Sequence, residues 1–307
     1  MRIDISAQDM LICHSLTKII RIYRLQTIRQ NITLNCSGKL ITLDKPLVMG
    51  IINATTDSFH INSRTNTDNA LYIAEGMISA GAGILDIGGY SSRPGAIEIS
   101  LQEELDRVIP IIEKIHMSFP EIPLSIDTFR AKVATESIAS GASMVNDISS
   151  GDDDPEMMST VAKSNVPYVM MHKKGSPQTM QENPTYNNVV LEVLHYFSEK
   201  LKLAQDLGIK DIIIDPGFGF GKTIAHNYEL LNALPDFAFL EKPVLVGVSR
   251  KSMIQKVLKT DTEHALNGTT VLHTIALSKG AKILRVHDVK EAVECIKIIN
   301  ALNGEFE

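Results

Sequence analysis

Ile212-Ile-Ile-Asp-Pro-Gly-Phe-Gly-Phe-Gly-Lys-Thr223 is a short β-branched run closed by an aspartate and followed at once by a glycine-rich turn. An apolar run without polar alternation is the signature of a strand buried on both faces, as in a parallel sheet covered by helices. Runs of this kind recur from Pro46 onward, at 47–53, 84–88, 124–127, 144–147, 168–172, 212–215, 244–249 and 283–287. Longer amphipathic stretches separate them, among them 70–80, 132–140 and 189–207, each followed by a glycine that suits a helix stop. Eight β/α units in roughly 240 residues match a (β/α)8 barrel, typically about 250 residues long. A doubly wound open sheet is the rival. The barrel is favoured because the runs end in Asn53, Asp127, Asp147, His172, Asp215, Ser249 and His287. A barrel gathers all strand ends at one mouth, whereas an open sheet gathers only those near its switch point.

Outside this region, 31–43 reads as a hairpin turning at Ser37-Gly38, placed to plug the barrel floor. Residues 1–30 form an extension with no assigned role, so the chain divides into that extension and one domain over 31–307. The 307 residues are 44% hydrophobic and 21% charged, which excludes a disordered or collagen-like chain. Thirty Lys and Arg against 36 Asp and Glu give a net charge of −6. No general field draws nucleic acid or an anionic membrane, although a local pocket for a small anion remains open. The apolar run from Met10 to Tyr23 is broken by His14, Lys18 and Arg21, so it suits neither a membrane span nor a leader. Cys13, Cys36 and Cys295 are odd in number and widely spaced, which argues against a disulfide framework or a zinc site and leaves a reducing, cytoplasmic setting as the default.

The chemistry sits in the segments after the strands. Asp215 to Thr223 combines three glycines and a lysine, able to bring backbone close to a flat or phosphorylated ligand, or simply to make a tight turn. It is too short for a nucleotide P-loop. Ser249-Arg-Lys-Ser252 joins two cations and two hydroxyls to a helix start, an anion receptor or a solvated charge cluster with a capping serine. Arg285 and His287 share one strand face, and phosphate is a natural partner after strands seven and eight of a barrel. Asp86 to Gly95 brings glycines, hydroxyls and Arg93 to the second loop. Ser125-Ile-Asp127 and Asn146-Asp147 supply an acceptor and an amide suited to the edge of a heterocycle. The mouth is therefore expected to hold a polar floor and a cationic wall of Arg93, Lys222, Arg250, Lys251 and Arg285. Such a site fits a substrate with a hydrogen-bonding ring and a phosphate or diphosphate tail. Neither a Ser-His-Asp arrangement nor a GxSxG elbow is present.

Read in order, Met49 to Phe59, Asp86 to Ala96, Ser125 to Asp127, Val145 to Asp147, Met170 to His172, Asp215 to Thr223, Gly247 to Ser252 and Arg285 to Asp288 closely resemble the dihydropteroate synthases. The resemblance covers about residues 31–300. It implies a (β/α)8 barrel, commonly a homodimer, that joins 4-aminobenzoate to 6-hydroxymethyl-7,8-dihydropterin diphosphate with help from Mg2+. By motif position, Asp127, Asn146, Asp215 and Lys251 would hold the pterin and Arg285 would stack on it. Asn53, Arg93, Arg285 and His287 would surround the diphosphate, with Asn53 also reaching the metal. Phe59, Ser92, Pro94, Phe220, Lys251 and Ser252 would line the aminobenzoate pocket, and Met171, Gly219, Gly247 and Ser249 complete the expected substrate-binding set. The expected catalytic groups are Asp127, Asp215, Lys251 and Arg285. The first loop departs from the family pattern, with Thr55-Thr-Asp-Ser-Phe-His-Ile-Asn-Ser63 lacking a proline and two glycines. In the second loop, Tyr90-Ser-Ser-Arg-Pro94 keeps a hydroxyl at Ser92. A pterin-binding methyltransferase and a noncatalytic pterin binder are the alternatives; the Ser249 to Ser252 receptor and the intact Asn53, Asp127, Lys251, Arg285 and His287 count against them.

Overall fold

A computed structural model describes residues 32–54, 63–91, 98–175, 180 and 184–306, without the side chains of 63–66. Thr33–Glu307 forms one compact unit. It opens with a hairpin of β1 (Thr33–Cys36) and β2 (Lys39–Thr42), in which Asn35 pairs with Leu40. Ser37 and Gly38 both take positive φ, 52° and 91°, the two-residue turn whose twist matches that of the strands.

The runs β3 (Leu47–Asn53), β4 (Ile84–Gly88), β5 (Leu124–Asp127), β6 (Met144–Asp147), β7 (Tyr168–Met171), β8 (Ile212–Asp215), β9 (Leu245–Val246) and β10 (Ile283–Val286) form one parallel sheet. Its order is β8-β7-β6-β5-β4-β3-β10-β9, and a parallel bridge from Ile214 to Val244 joins the two ends into a barrel. Helices α1 (Ser63–Ser79), α2 (Leu101–Ser118), α3 (Ala131–Ala139), α4 (Met157–Ser164), α5 (Val189–Asp206), α6 (Ile224–Asn232), α7 (Ser252–Leu258), α8 (Leu266–Ser278) and α9 (Val289–Leu302) alternate with the strands. Three predicted strands end early. The stretch 244–249 is ladder only at Leu245–Val246, because Gly247 and a left-handed Arg250 (φ 54°) turn the chain, and the runs at 168–172 and 283–287 stop one residue short.

Period-two alternation sorts the side chains. Val48, Leu85, Ile126, Val145, Met170, Ile214, Val246 and Leu284 belong to the apolar core between barrel and helices. The residues alternating with them face the barrel interior. Met49, Ile84, Met144, Val169, Ile213, Leu245 and Ile283 fill its lower part, all nearly or fully buried. The hairpin lies against the N-terminal ends of the strands. The Asn35 amide donates to Asp211 Oδ2, just before β8, at 2.8 Å, while Lys39 pairs with Glu121, just before β5. Leu34 and Leu43 are buried there at 1% and 0% exposure. The hairpin therefore closes the floor, as its sequence led us to expect.

Candidate active site at the barrel mouth

Above the apolar layer the inward positions become polar. Asp86 on β4, Ser125 and Asp127 on β5, Asn146 on β6, Asp215 on β8 and Arg285 on β10 all occupy the alternation set opposite the core. Strand register brings Asp86 opposite Ser125, Asp127 opposite Asn146 and Met171 opposite Asp215. Residues up to 199 positions apart in sequence thus meet. Arg285 Nε donates to Asp86 Oδ2 and its Nη2 to Asp127 Oδ2, both at 2.6 Å. Asn146 Nδ2 donates to the same Asp86 oxygen at 3.0 Å.

Lys251 reaches the interior from the turn before α7. Its ammonium donates to the Phe218 carbonyl at 2.5 Å and lies 4.7 Å from the centre of the Phe220 ring. A Cβ placed on Gly247 would stand 3.9 Å from both Lys251 Nζ and Asp215 Oδ2, so the glycine leaves open the space between these groups. Asp215 Oδ1 accepts from the Gly217 amide at 2.8 Å. Gly219 at φ 84° brings its backbone against the Lys251 stem. At the rim the Ser249 hydroxyl accepts from the His287 amide at 3.3 Å and lies 3.1 Å from His287 Nδ1.

The charges at this site respond to burial. Desolvation lowers the Lys251 ammonium to about 8, and the attraction of Asp215 opposes that fall. Burial pushes the Asp127 carboxyl up, with the Arg285 guanidinium pulling it down. It also raises Asp215, which Lys251 then draws back. Arg285 is desolvated too, but Asp86 and Asp127 hold it firmly in its charged form. The result is three carboxyl groups, Asp86, Asp127 and Asp215, and two cations, Lys251 and Arg285, in a confined polar chamber.

Residues 49–287 match the family model described as pterin binding enzyme. The dihydropteroate synthase of Escherichia coli strain K12 is 44% identical over 267 residues, 86% of this chain and 94% of the relative. The chain belongs to the dihydropteroate synthase family of pterin-binding enzymes. A solved structure of the Xanthomonas albilineans dihydropteroate synthase with 4-aminobenzoic acid superposes with a TM-score of 0.83 at 40% identity, covering 88% of this chain and 98% of that one. Another from the same organism, in complex with 7,8-dihydropteroate, gives 0.80 at 37% identity over 89% of this chain and 99% of that one.

Set against the family, the expected residues divide into three groups. Asp127, Asn146, Asp215, Lys251, Arg285 and Gly247 come together in the chamber, Met171 pairs with Asp215, and Gly219 and Phe220 flank Lys251. Asn53 ends β3 opposite Gly88, Ser249 and His287 pair at the rim, and Ser252 opens α7. Phe59, Ser92, Arg93 and Pro94 lie outside the described residues, as does all of 1–30.

Four groups expected at the mouth do not face it. Asp147 falls on the outward alternation set, where its oxygens accept from Tyr168 Oη at 2.6 Å, Ser149 N at 2.8 Å and Gly151 N at 2.7 Å. His172 packs edge-on against Tyr196 of α5 at 4.9 Å, kept neutral by burial and by Lys222, which lower it to about 2. Lys222 is only 2% exposed and donates to the carbonyls of His172, Gly217 and Phe220 at 3.2, 2.9 and 3.0 Å. It braces the glycine-rich turn instead of lining the wall. Arg250 is bound bidentately by Asp288 at 2.8 and 2.9 Å, and its Nη1 donates to the carbonyls of Thr262 and Glu263. The sequence reading also missed a role for Asp86. Its signal was an aspartate at the centre of an apolar strand, which needs a partner when folded in.

Magnesium takes oxygen ligands and commonly keeps several waters beside one or two protein oxygens and substrate phosphates. Asn53, half-buried at the end of β3, offers one neutral amide oxygen there. No group of three or more His, Cys, Asp and Glu fit to hold a metal occurs among the described residues. That donor set suits an ion brought in on a diphosphate and does not suit a dedicated protein cage.

Proposed function

We propose that this chain condenses 6-hydroxymethyl-7,8-dihydropterin diphosphate with 4-aminobenzoate, giving 7,8-dihydropteroate and diphosphate. The observation that carries this reading is the single chamber in which Asp127, Asn146, Asp215, Lys251 and Arg285 meet. Carboxylates and an amide can read the donor and acceptor edge of a pterin, and a guanidinium can stack on its face. His287, Ser249 and Arg285 supply donors toward a diphosphate tail at the mouth.

The reaction proceeds by loss of the leaving group first. The bond from the methylene carbon to the diphosphate oxygen breaks, and its electron pair departs with diphosphate. The arylamine nitrogen then bonds to that carbon and releases one proton. The carboxylates of Asp127 and Asp215, when ionised, favour positive charge on the ring as it develops. Asn53 would hold Mg2+, which when bound neutralises charge on the departing diphosphate. Phe220 and the start of α7 at Ser252 form the described part of the aminobenzoate seat, and Lys251 lies between the two seats. Phe59, Ser92 and Pro94 would complete that seat and Arg93 the diphosphate wall.

We further take the enzyme to be a homodimer in the cytoplasm. Cys36 and Cys295 are buried and unbridged, which suits a reducing compartment. Among the described residues no helix is long and apolar enough to cross a membrane. Diphosphate release, followed with both substrates and with each one omitted, tests the reaction. Release only when both are present is the expected result, with sulfonamides competing against 4-aminobenzoate. Release without aminobenzoate, or none at all, rejects the assignment.

A further inference from the structure

Asp86 lies on β4, a strand flanked in the barrel by β3 and β5. Its side chain is fully buried, whereas that of Asp127 is 18% exposed. These two carboxylates share one guanidinium, with Asp86 taking Nε of Arg285 and Asp127 taking Nη2. They are not equivalent. A ligand entering from the mouth can reach Asp127 but not Asp86, so ligand binding can remove only one of the two holds on Arg285.

The oxygen of Asp86 that binds Arg285 also accepts from Asn146 Nδ2. A carboxylate only accepts, so it fixes which end of the amide faces it and turns the Asn146 carbonyl oxygen away. The other oxygen, Oδ1, is buried without a hydrogen-bond partner. Ser125 Oγ, on the position paired with Asp86 across the ladder, is buried without one as well. Unmatched polar atoms in a barrel interior carry a desolvation penalty, and an ionised carboxylate oxygen carries more than a hydroxyl. Such an atom points to a second arrangement in which it is used.

We propose that Asp86 is the positioning residue of the pterin site, the fixed pivot on which Arg285 turns when Asp127 is given over to the substrate. Nε stays on Asp86 in both arrangements. Nη2 leaves Asp127, and the guanidinium swings toward the ring and the diphosphate, with Oδ1 as the acceptor held in reserve. At the same time Asp86 keeps the Asn146 amide in the one orientation that presents its carbonyl oxygen. Asp86 itself never touches substrate. The proposal rests on the pterin reading of this chamber.

The test separates the two. Diphosphate release by the unsubstituted enzyme judges the reaction alone. For Asp86, the Nε–Hε signal of Arg285, assigned by its loss in Arg285→Lys, is followed by nitrogen-15 NMR. Slow Hε exchange in the free protein, unchanged when dihydropterin diphosphate is added, is the expected result, and fast exchange in either state overturns the pivot. In kinetics, Asp86→Asn is expected to lower kcat/KM for the pterin diphosphate about 30-fold or more, while KM for aminobenzoate stays within about threefold. In an Arg285→Met background the same substitution should cost at least about threefold less in kcat/KM than in the unsubstituted enzyme, because the part of its effect that passes through the guanidinium is gone and only the hold on Asn146 remains. Equal losses in both backgrounds, or equal losses toward both substrates, mean that Asp86 only supports the barrel. If Asp86→Asn does not fold, the NMR measurement on the unsubstituted chain still decides.

Discussion

Lys251 is placed where folding and chemistry oppose each other. Desolvation brings its ammonium down from 10.5 to about 8. Between those values the unfolded chain holds a proton that the folded chain has released, so this group makes stability rise with pH from about 8 to about 10.5. Below about 8 both states are charged and the folded one bears the full burial penalty. Lys251→Met should therefore raise stability near pH 7 by roughly 1 to 3 kcal/mol and remove that rise, as thermal melts at several pH values would reveal. Activity runs the other way. Lys251→Ala is expected to lose about 2 to 4 kcal/mol of transition-state stabilisation, and an unchanged kcat/KM would refute its role. Asp127→Asn should abolish pterin binding in calorimetric titration. Its fold should persist, because Arg285 keeps its bond to Asp86.

Among the elements, the link between the turn after β9 and the end of β10 matters most. Arg250 holds Asp288 with two bonds and the carbonyls of Thr262 and Glu263 with a third nitrogen, and its own backbone sits at φ 54°. That ties Lys251 and Ser249 to the strand carrying Arg285. Lysine cannot reproduce a planar fork, so Arg250→Lys should lose about 2 kcal/mol of stability in urea unfolding and lower kcat/KM along with it. The sequence reading placed Arg250 in the cationic wall at the mouth and did not pair it with Asp288. A cation beside glycines and hydroxyls has the same one-dimensional appearance whether its partner is a substrate or an aspartate 38 positions on. The strands were more legible, because a buried β-branched run needs no partner to be recognised: 47–53, 84–88, 124–127, 144–147 and 212–215 are observed with the expected bounds. Asp147 and His172 were misread for a geometric reason. A strand's last polar residue faces the mouth or the helices according to parity, and parity follows from the fold rather than from residue type.

For the molecule as a whole, closure is uneven. β3 pairs with β4 over five positions, whereas β9 contributes two residues and meets β8 through the bridge from Ile214 to Val244. The amide of Ile214, which donates to the Pro243 carbonyl across this seam, should exchange hydrogen faster than that of Leu85, which donates to Pro123. Native-state exchange read by mass spectrometry checks the order, and equal protection would mean that the seam is as strong as the rest. The hairpin at the opposite end has a different consequence. A vessel stoppered below fills and empties through its neck alone. Asn146 lies 4% exposed toward the bottom and Ser252 is exposed at the lip. We therefore expect the two reactants to queue, the bicyclic one first, and initial-rate and product-inhibition kinetics showing random addition would refute that order.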